Sequence, residues 1–433
     1  MRRLVWALAI VLAVTTLVAQ IAHAQIPRVQ LPRLPGVSVP GVAGGLSNTV
    51  RDLTSQTAED VRRLKIRDLL RQHADVVESD PRGSPIVRAE LLAFSPSDGA
   101  LAQAQAAGFQ IVRTETLDGL GERIVVLRGP PRVTTQRALA RLRQLDPQGS
   151  YDFNHLYVES GEAAGVAATT EVAGAGSMAG RAMRVGLIDS GVDVHHPVFE
   201  GSSVQLYGCG GVSIPSAHGT GVASLMVGHA TSFQGAAPGA GLYAADVYCG
   251  LTTGGAVDVV MQAFAWFVKE KVPVINVSLV GPPNVLLERV VKTVVARGHL
   301  IVAAVGNDGP AAPPLYPAAY PGVIGVTAVD ARQRAIPEAE RGPQVKFAAP
   351  GADMAAACPP RGYVTVRGTS FAAPIVAGLL ALELGQPDVG AAQQAVADLA
   401  RSAVDLGSKG PDKVYGNGLV GAALRPEPAL ARQ

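Results

Sequence analysis

The sequence predicts an α/β protein: a doubly wound parallel sheet with helices on both faces, preceded by a ferredoxin-like α+β domain. Three observations carry this. From Met183 onward, continuous apolar runs of strand length alternate with helical stretches, the pattern of a parallel sheet covered on both faces. Residues 86–160 follow the order β-α-β-β-α-β, the split motif of ferredoxin-like units. The chain has 433 residues, too many for one core at roughly 100–200 residues per domain. Hydrophobic residues make up 48% and charged residues 17%, which excludes wholesale disorder. Lys plus Arg is 37 against 35 for Asp plus Glu, a net of +2, so no basic footprint for nucleic acid is present.

The elements follow in chain order. Arg2 and Arg3 precede an apolar run from Leu4 to Val18, and Ala22-His23-Ala24 forms a small-residue cleavage pattern. Residues 1–24 therefore read as a secretory signal peptide, and the run is short for a bilayer span of about 20 residues. The expected destination is the periplasm or the exterior, with no membrane span after signal removal. Residues 25–46 are rich in Pro and Gly and read as a linker. Val50 and Leu53, Val61 and Leu64, and Ile66 with Leu69 and Leu70 have helical spacing. The 25–85 region is thus a linker and an amphipathic helical segment that packs on its neighbour.

Within 86–160, IVRAELLAF reads as a strand and SPSDGALAQAQAAG as a helix with a Ser/Asp start and a Gly stop. FQIVRTETL and ERIVVLRG are strands around the Asp118-Gly119 turn, TTQRALARLRQLD is a helix, and SYDFNHLYVES is the last strand. Residues 161–180 are small and aperiodic, a linker open to nicking. Residues 181–425 form the sheet domain and 426–433 a tail. MRVGLID, GLYAADVY, VPVINVSL, LIVAAVG and GVIGVTAVD are its strands; Ala256 to Glu270 and Leu286 to Arg297 are its helices. Ligands of such sheets bind outside the carboxyl ends of the strands. Three cysteines, Cys209, Cys249 and Cys358, permit one disulfide in an oxidising compartment. Cys209 and Cys249 lie at the ends of strand-like runs and are the favoured pair; three reduced thiols are the alternative.

Four segments carry chemistry. Asp189 ends a buried strand, His218 opens a helix in HGTGVAS, Asn307 follows a strand, and Ser370 enters the helix that runs to Leu384. Pro374 is expected in that helix's first turn, where no intrahelical bond is lost. Each residue alone is a turn or cap residue. Together they supply acyl transfer: a Ser nucleophile, a His base, an Asp that orients the base, and an amide donor for the oxyanion. The chain order Asp, His, Ser distinguishes this set from other hydrolase triads.

The motifs VGLIDSGVDVHHPVF, HGTGVAS, VINVSL, VAAVGNDGP and GTSFAAPIVAG appear in one order over roughly residues 180–425. In this the chain resembles the subtilisin-like serine peptidases, the subtilases. The resemblance implies Asp189, His218 and Ser370 as the triad, with Asn307 and the Ser370 backbone N–H as the oxyanion hole. It implies that Ser278, Leu279 and Val280 bind substrate backbone as an added strand, with Gly306 in the pocket wall. It implies that 86–160 is a propeptide, an intramolecular inhibitor cleaved somewhere in 158–180. The function expected is an exported serine endopeptidase acting on peptide or protein substrates as a monomer, with no cofactor and no metal. Val280 stands where the family usually has Gly, which bears on subsite preference. Ala303, Ala304, Val305 and Gly306 are expected to form a wall without charge. The alternatives are a catalytically silent secreted scaffold, an esterase or amidase, and a processing peptidase dedicated to one partner protein.

Overall fold

The computed structural model describes residues 62–169 and 183–432. The expected signal peptide, the stretch 25–61, residues 170–182, which include the second half of the linker, and residue 433 lie outside the described residues.

A helix, α1, runs through 62–72, and β1 (Val77–Ser79) follows it. The next elements are β2 (Pro85–Phe94), α2 (Asp98–Ala106), β3 (Gln110–Leu117), β4 (Glu122–Arg128), α3 (Thr135–Leu145) and β5 (Ser150–Glu159). Their strands form an antiparallel sheet of order β5-β2-β4-β3, with β1 against β2. Both helices start where a side chain satisfies an orphan N–H. Ser97 Oγ accepts from Ala100 N, and Thr134 Oγ1 accepts from Arg137 N. Strand residues alternate between faces. Leu91, Ala93, Val125 and Leu127 pack on Ala104, Ala138, Leu139 and Leu142 of the helices. Leu92, Ile124 and Val126 join Phe264 and Phe267 in the core of the second domain.

The chain then enters β6 (Glu162–Thr169), which pairs antiparallel with β19 (Gly362–Arg367). The first half of the expected linker is therefore a strand. Backbone pairing holds it and needs no apolar alternation, so its small residues gave no signal.

The second domain continues with β7 (Arg184–Asp189), β8 (Val204–Tyr207), α4 (Ala217–Val227), β9 (His229–Ala230), β10 (Phe233–Gln234), β11 (Gly241–Asp246) and β12 (Gly255–Ala256). After these come α5 (Val257–Lys269), β13 (Val274–Val277), β14 (Leu279–Val280), α6 (Val285–Ala296), β15 (Leu300–Ala304), β16 (Ile324–Val329) and β17 (Val345–Pro350). The hairpin of β18 (Ala352–Cys358) and β19 leads to α7 (Thr369–Glu383) and α8 (Val389–Ser402). The central sheet has the order β17-β16-β15-β13-β7-β11-β8, with every pairing parallel. Val185, Leu187 and Val302 pack with α4 and α7 on one face. Ile188, Ile275 and Ile301 pack with α5 and α6 on the other. Edge strand β8, strand β17, the β18–β19 hairpin and α8 were not legible from periodicity; β18 is rich in Ala and shows no alternation.

Cys209 and Cys249 form a disulfide with an S–S distance of 2.11 Å, and Cys358 is free and buried. The favoured pairing is the one present.

The two domains meet along β5, which completes the start of two helices of the second domain. Asn154 Oδ1 accepts from Asp258 N at 3.3 Å at the start of α5. Asp152 Oδ2 accepts from Val285 N at 2.8 Å at the start of α6. These are N-terminal donors that no intrahelical carbonyl can reach. Arg113 of β3 adds an ion bridge, 2.8 Å from Glu90 and 2.6 Å from Asp258.

Candidate active site

Asp189 ends β7 at the carboxyl edge of the sheet and is fully buried. His218 is the second residue of α4, whose start is capped by Ser216 Oγ accepting from His218 N. That geometry points the imidazole back to the edge, with Nδ1 2.7 Å from Asp189 Oδ1. Ser190 N and Ser190 Oγ donate to the same oxygen at 2.7 and 3.1 Å. The ring of Phe371 packs 5.2 Å from the imidazole, centroid to centroid.

Ser370 is the second residue of α7. Its Oγ donates to Ser278 O at 3.1 Å and lies 3.0 Å from Ser160 Oγ. His218 Nε2 is buried and has no hydrogen-bond partner among the described residues. The structure thus joins His218 to Asp189 and leaves the Ser370–His218 bond unmade. Pro374 corrects an expectation. It is the sixth residue of α7, beyond the first turn, and its missing N–H leaves Ser370 O without its helical donor. Ser278 Oγ donates to that oxygen at 3.0 Å, so Ser278 has a structural task besides contacting the nucleophile.

The chain's own segment 157–161 occupies the cleft. β5 lies between β12 and β14, with Tyr157 opposite Gly255, Val158 opposite Val280 and Glu159 opposite Leu279. Leu279 and Val280 therefore bind backbone as an added strand. Ser160 O accepts from Ser370 N at 3.3 Å and from Asn307 Nδ2. The carbonyl between Ser160 and Gly161 thus sits where two donors converge. Gly368 has φ +138°, and a Cβ there would stand 2.7 Å from Gly161 Cα and 3.0 Å from Ser160 O. Only glycine allows this approach. Tyr157, which periodicity did not single out, is fully buried and donates from its hydroxyl to Pro282 O at 2.7 Å.

Gly306 is bound from behind: its N donates to Thr369 Oγ1 at 3.2 Å and its O accepts from Glu340 N at 3.1 Å. The wall expected to be without charge is backed by that glutamate. A Cβ on Gly306 would lie 2.6 Å from Glu340 Oε1. Glu340 is fully buried, and burial, with Asp308 adding to it, pushes its carboxyl up to about 9. It is a neutral acid at neutral pH. Glu340 lies far from every motif in sequence, so spacing could not have found it.

Burial by itself disfavours the His218 imidazolium. The carboxylates of Asp189 and then Glu159 outweigh it and hold the imidazole up at about 9. Burial pushes the Asp189 carboxyl up, and the imidazolium beside it opposes the shift.

The sequence model of the Subtilase family matches residues 180–418, a span that carries Asp189, His218, Asn307 and Ser370. The chain belongs to the subtilase family. Other subtilases resemble it at moderate identity. Subtilisin Savinase of Lederbergia lenta is 32% identical over 249 residues, covering 57% of this chain and 91% of that protein. Minor extracellular protease Epr of Bacillus subtilis is 30% identical over 250 residues, covering 56% of this chain and only 38% of that protein. The structure of fervidolysin from Fervidobacterium pennivorans matches with a TM-score of 0.64 at 21% identity, over 78% of this chain and 61% of its own. That likeness concerns the fold alone, and it reaches beyond the region matched by the family model.

This subtilase also places α1 over its cleft. Arg62, Lys65, Ile66 and Leu69 line a cavity of about 430 Å³ together with Glu159, Ser160 and Asn307. Arg62 pairs with Asp308, next to Asn307, at 2.8 Å, and Thr252 Oγ1 lies 3.0 Å from His73 Nε2. Among the described residues, two clusters bring three possible metal ligands within 4.8 Å. In the cluster of Cys209, Asp246 and Cys249 both sulfurs are bound in the disulfide; Glu159, Asp189 and His218 lie at the candidate site itself. No helix among the described residues is long and apolar enough to cross a membrane.

Proposed function

We propose that this subtilase is an exported serine endopeptidase, made as a zymogen that cuts its own chain between Ser160 and Gly161. The observation that supports this is the carbonyl of Ser160, which accepts from both Ser370 N and Asn307 Nδ2 while β5 is paired on both edges like a bound peptide. Backbone pairing is indifferent to side chains, so it suits peptide substrates rather than simple esters.

Ser370 Oγ leaves Ser278 O, passes its proton to His218 Nε2 and bonds to the Ser160 carbonyl carbon. Asp189 keeps the proton of Nδ1 in place and stabilises the imidazolium. The negative oxygen is met by Asn307 Nδ2 and Ser370 N. The imidazolium then gives its proton to Gly161 N, the C–N bond breaks, and an acyl-enzyme remains. Water, deprotonated by His218, releases the Ser160 carboxylate and restores Ser370. After export, residues 86–160 stay as an inhibitor until released, and other peptides enter as an added strand beside β12 and β14.

The test compares wild type with Ser370→Ala by intact mass over time and by labelling with a serine-directed phosphonate. The reading expects wild type to lose the segment up to Ser160 and to label once, while the variant stays whole and unlabelled. If both stay whole and neither labels, a secreted scaffold replaces the peptidase reading.

A further inference from the structure

The segment occupying the cleft carries an acid beside the base it must use. Glu159, the residue before Ser160, has Oε1 3.9 Å from His218 Nδ1. Asp189 Oδ1 stands 2.7 Å from the same nitrogen. His218 is 4% exposed and Glu159 33%, so solvent screens the imidazole very little and the Glu159 carboxylate only in part. The charged groups acting on the imidazole come from two elements, Asp189 on β7 and Glu159 on β5. Phe371 of α7 covers the ring and carries no charge. Asp246, the last residue of β11, and Tyr248 just after it feel the Glu159 charge, and Lys65 of α1 lines the same cavity as Glu159.

We infer that Glu159 is an electrostatic brake built into the zymogen: its carboxylate keeps His218 protonated and so slows the first cut. The inference rests on the self-cleavage reading given above. Attack by Ser370 needs Nε2 without its proton, since an imidazolium has no lone pair to receive one. Two carboxylates on the Nδ1 side favour the cation and keep Nε2 protonated to higher pH. The direction agrees with the high value held by His218 in the uncut chain. Cleavage and release carry Glu159 away with the rest of 86–160. The mature base then faces Asp189 alone and works at lower pH. The first turnover is therefore held back by a charge that later turnovers lack, which gives the chain time to fold and leave the cell whole. Glu159 is a positioning residue in this sense: it contributes no atom to the bonds made or broken.

The experiment uses the full chain and has two arms. In the first, the rate of loss of intact mass is followed against pH for wild type, Glu159→Gln and Glu159→Asp. The midpoint of the alkaline rise should fall by about one pH unit in Glu159→Gln, with self-cleavage at pH 7 about tenfold faster. Glu159→Asp, which keeps the charge, should stay closer to wild type than Gln does. A merely structural role would make both variants slower at every pH. In the second arm, His218 is titrated by nitrogen NMR with histidine-selective labelling in Ser370→Ala, with and without Glu159→Gln. The midpoint should again fall by about one unit. Unchanged midpoints in both arms overturn the brake while leaving self-cleavage intact. If the wild-type chain never cuts, the self-cleavage reading fails, and the titration alone decides whether Glu159 controls the imidazole.

Discussion

Gly161 is the sharpest test of which bond lies in the site. A Cβ on Gly161 would stand 2.8 Å from Phe371 Cε2, 3.3 Å from Phe371 Cδ2 and 3.2 Å from Ser370 Cβ. Carbon atoms settle at about 3.5–4.0 Å, so the backbone at 161 must retreat by roughly 0.7 Å or more. Phe371 and Ser370 are fully buried and cannot yield in a close-packed interior. Valine adds two further methyl groups to the same clash. The retreat draws the scissile carbonyl away from Ser370 N and Asn307. A misplacement of about 1 Å costs about 10²-fold in rate, or about 2.7 kcal/mol of barrier. Intact mass of full-length Gly161→Val against wild type, at one pH, reads this directly. Self-cleavage should slow by about 10- to 100-fold, with near-UV circular dichroism unchanged. Cutting after Ser160 at the wild-type rate would refute the steric argument. An undiminished cut elsewhere in 158–180 would refute the assignment of the bond.

Two further outcomes follow from the interior. Asn154→Ala removes the acceptor for Asp258 N and a 2.8 Å donor to Glu90, both at a fully buried side chain. Leaving such groups unpaired costs about 1–3 kcal/mol each way, so the urea midpoint of the Ser370→Ala chain should drop, and an unmoved midpoint would remove β5 from the stability of the uncut chain. Glu340 binds its proton more tightly folded, at about 9, than unfolded. Between about pH 4.3 and that value the native state therefore holds one more proton, and stability falls as pH rises. Glu340→Gln should flatten this decline in thermal midpoints measured from pH 5 to 9; an equally steep decline would show that other groups cause it.

The motif residues and most strands of the second domain were readable because each signal is local. A buried parallel strand is a continuous apolar run, and Asp189, His218, Asn307 and Ser370 sit at junctions that such runs mark. β6 and β18 were not readable, since their runs of small residues show no apolar alternation. What periodicity could not reveal at Gly306, expected in the pocket wall, are its hydrogen bonds to Thr369 and Glu340, because the chain from 336 to 340 folds behind it. The first-turn placement of Pro374 failed by a few residues, as helix boundaries read from sequence often do.

The amino-acid order alone determined the α/β class, the favoured disulfide partners and the placing of the motif residues at strand ends and helix starts. These depend on chain-local patterns of burial and turn chemistry. Only the tertiary structure decided that it is the Ser160 carbonyl that meets Ser370 N and Asn307, and that α1 roofs the same groove. It alone put Glu159 beside His218 and Glu340 behind Gly306. Those contacts join residues 34 to 246 positions apart, and distance-dependent forces between such residues exist only once the sheet has brought its carboxyl edge together.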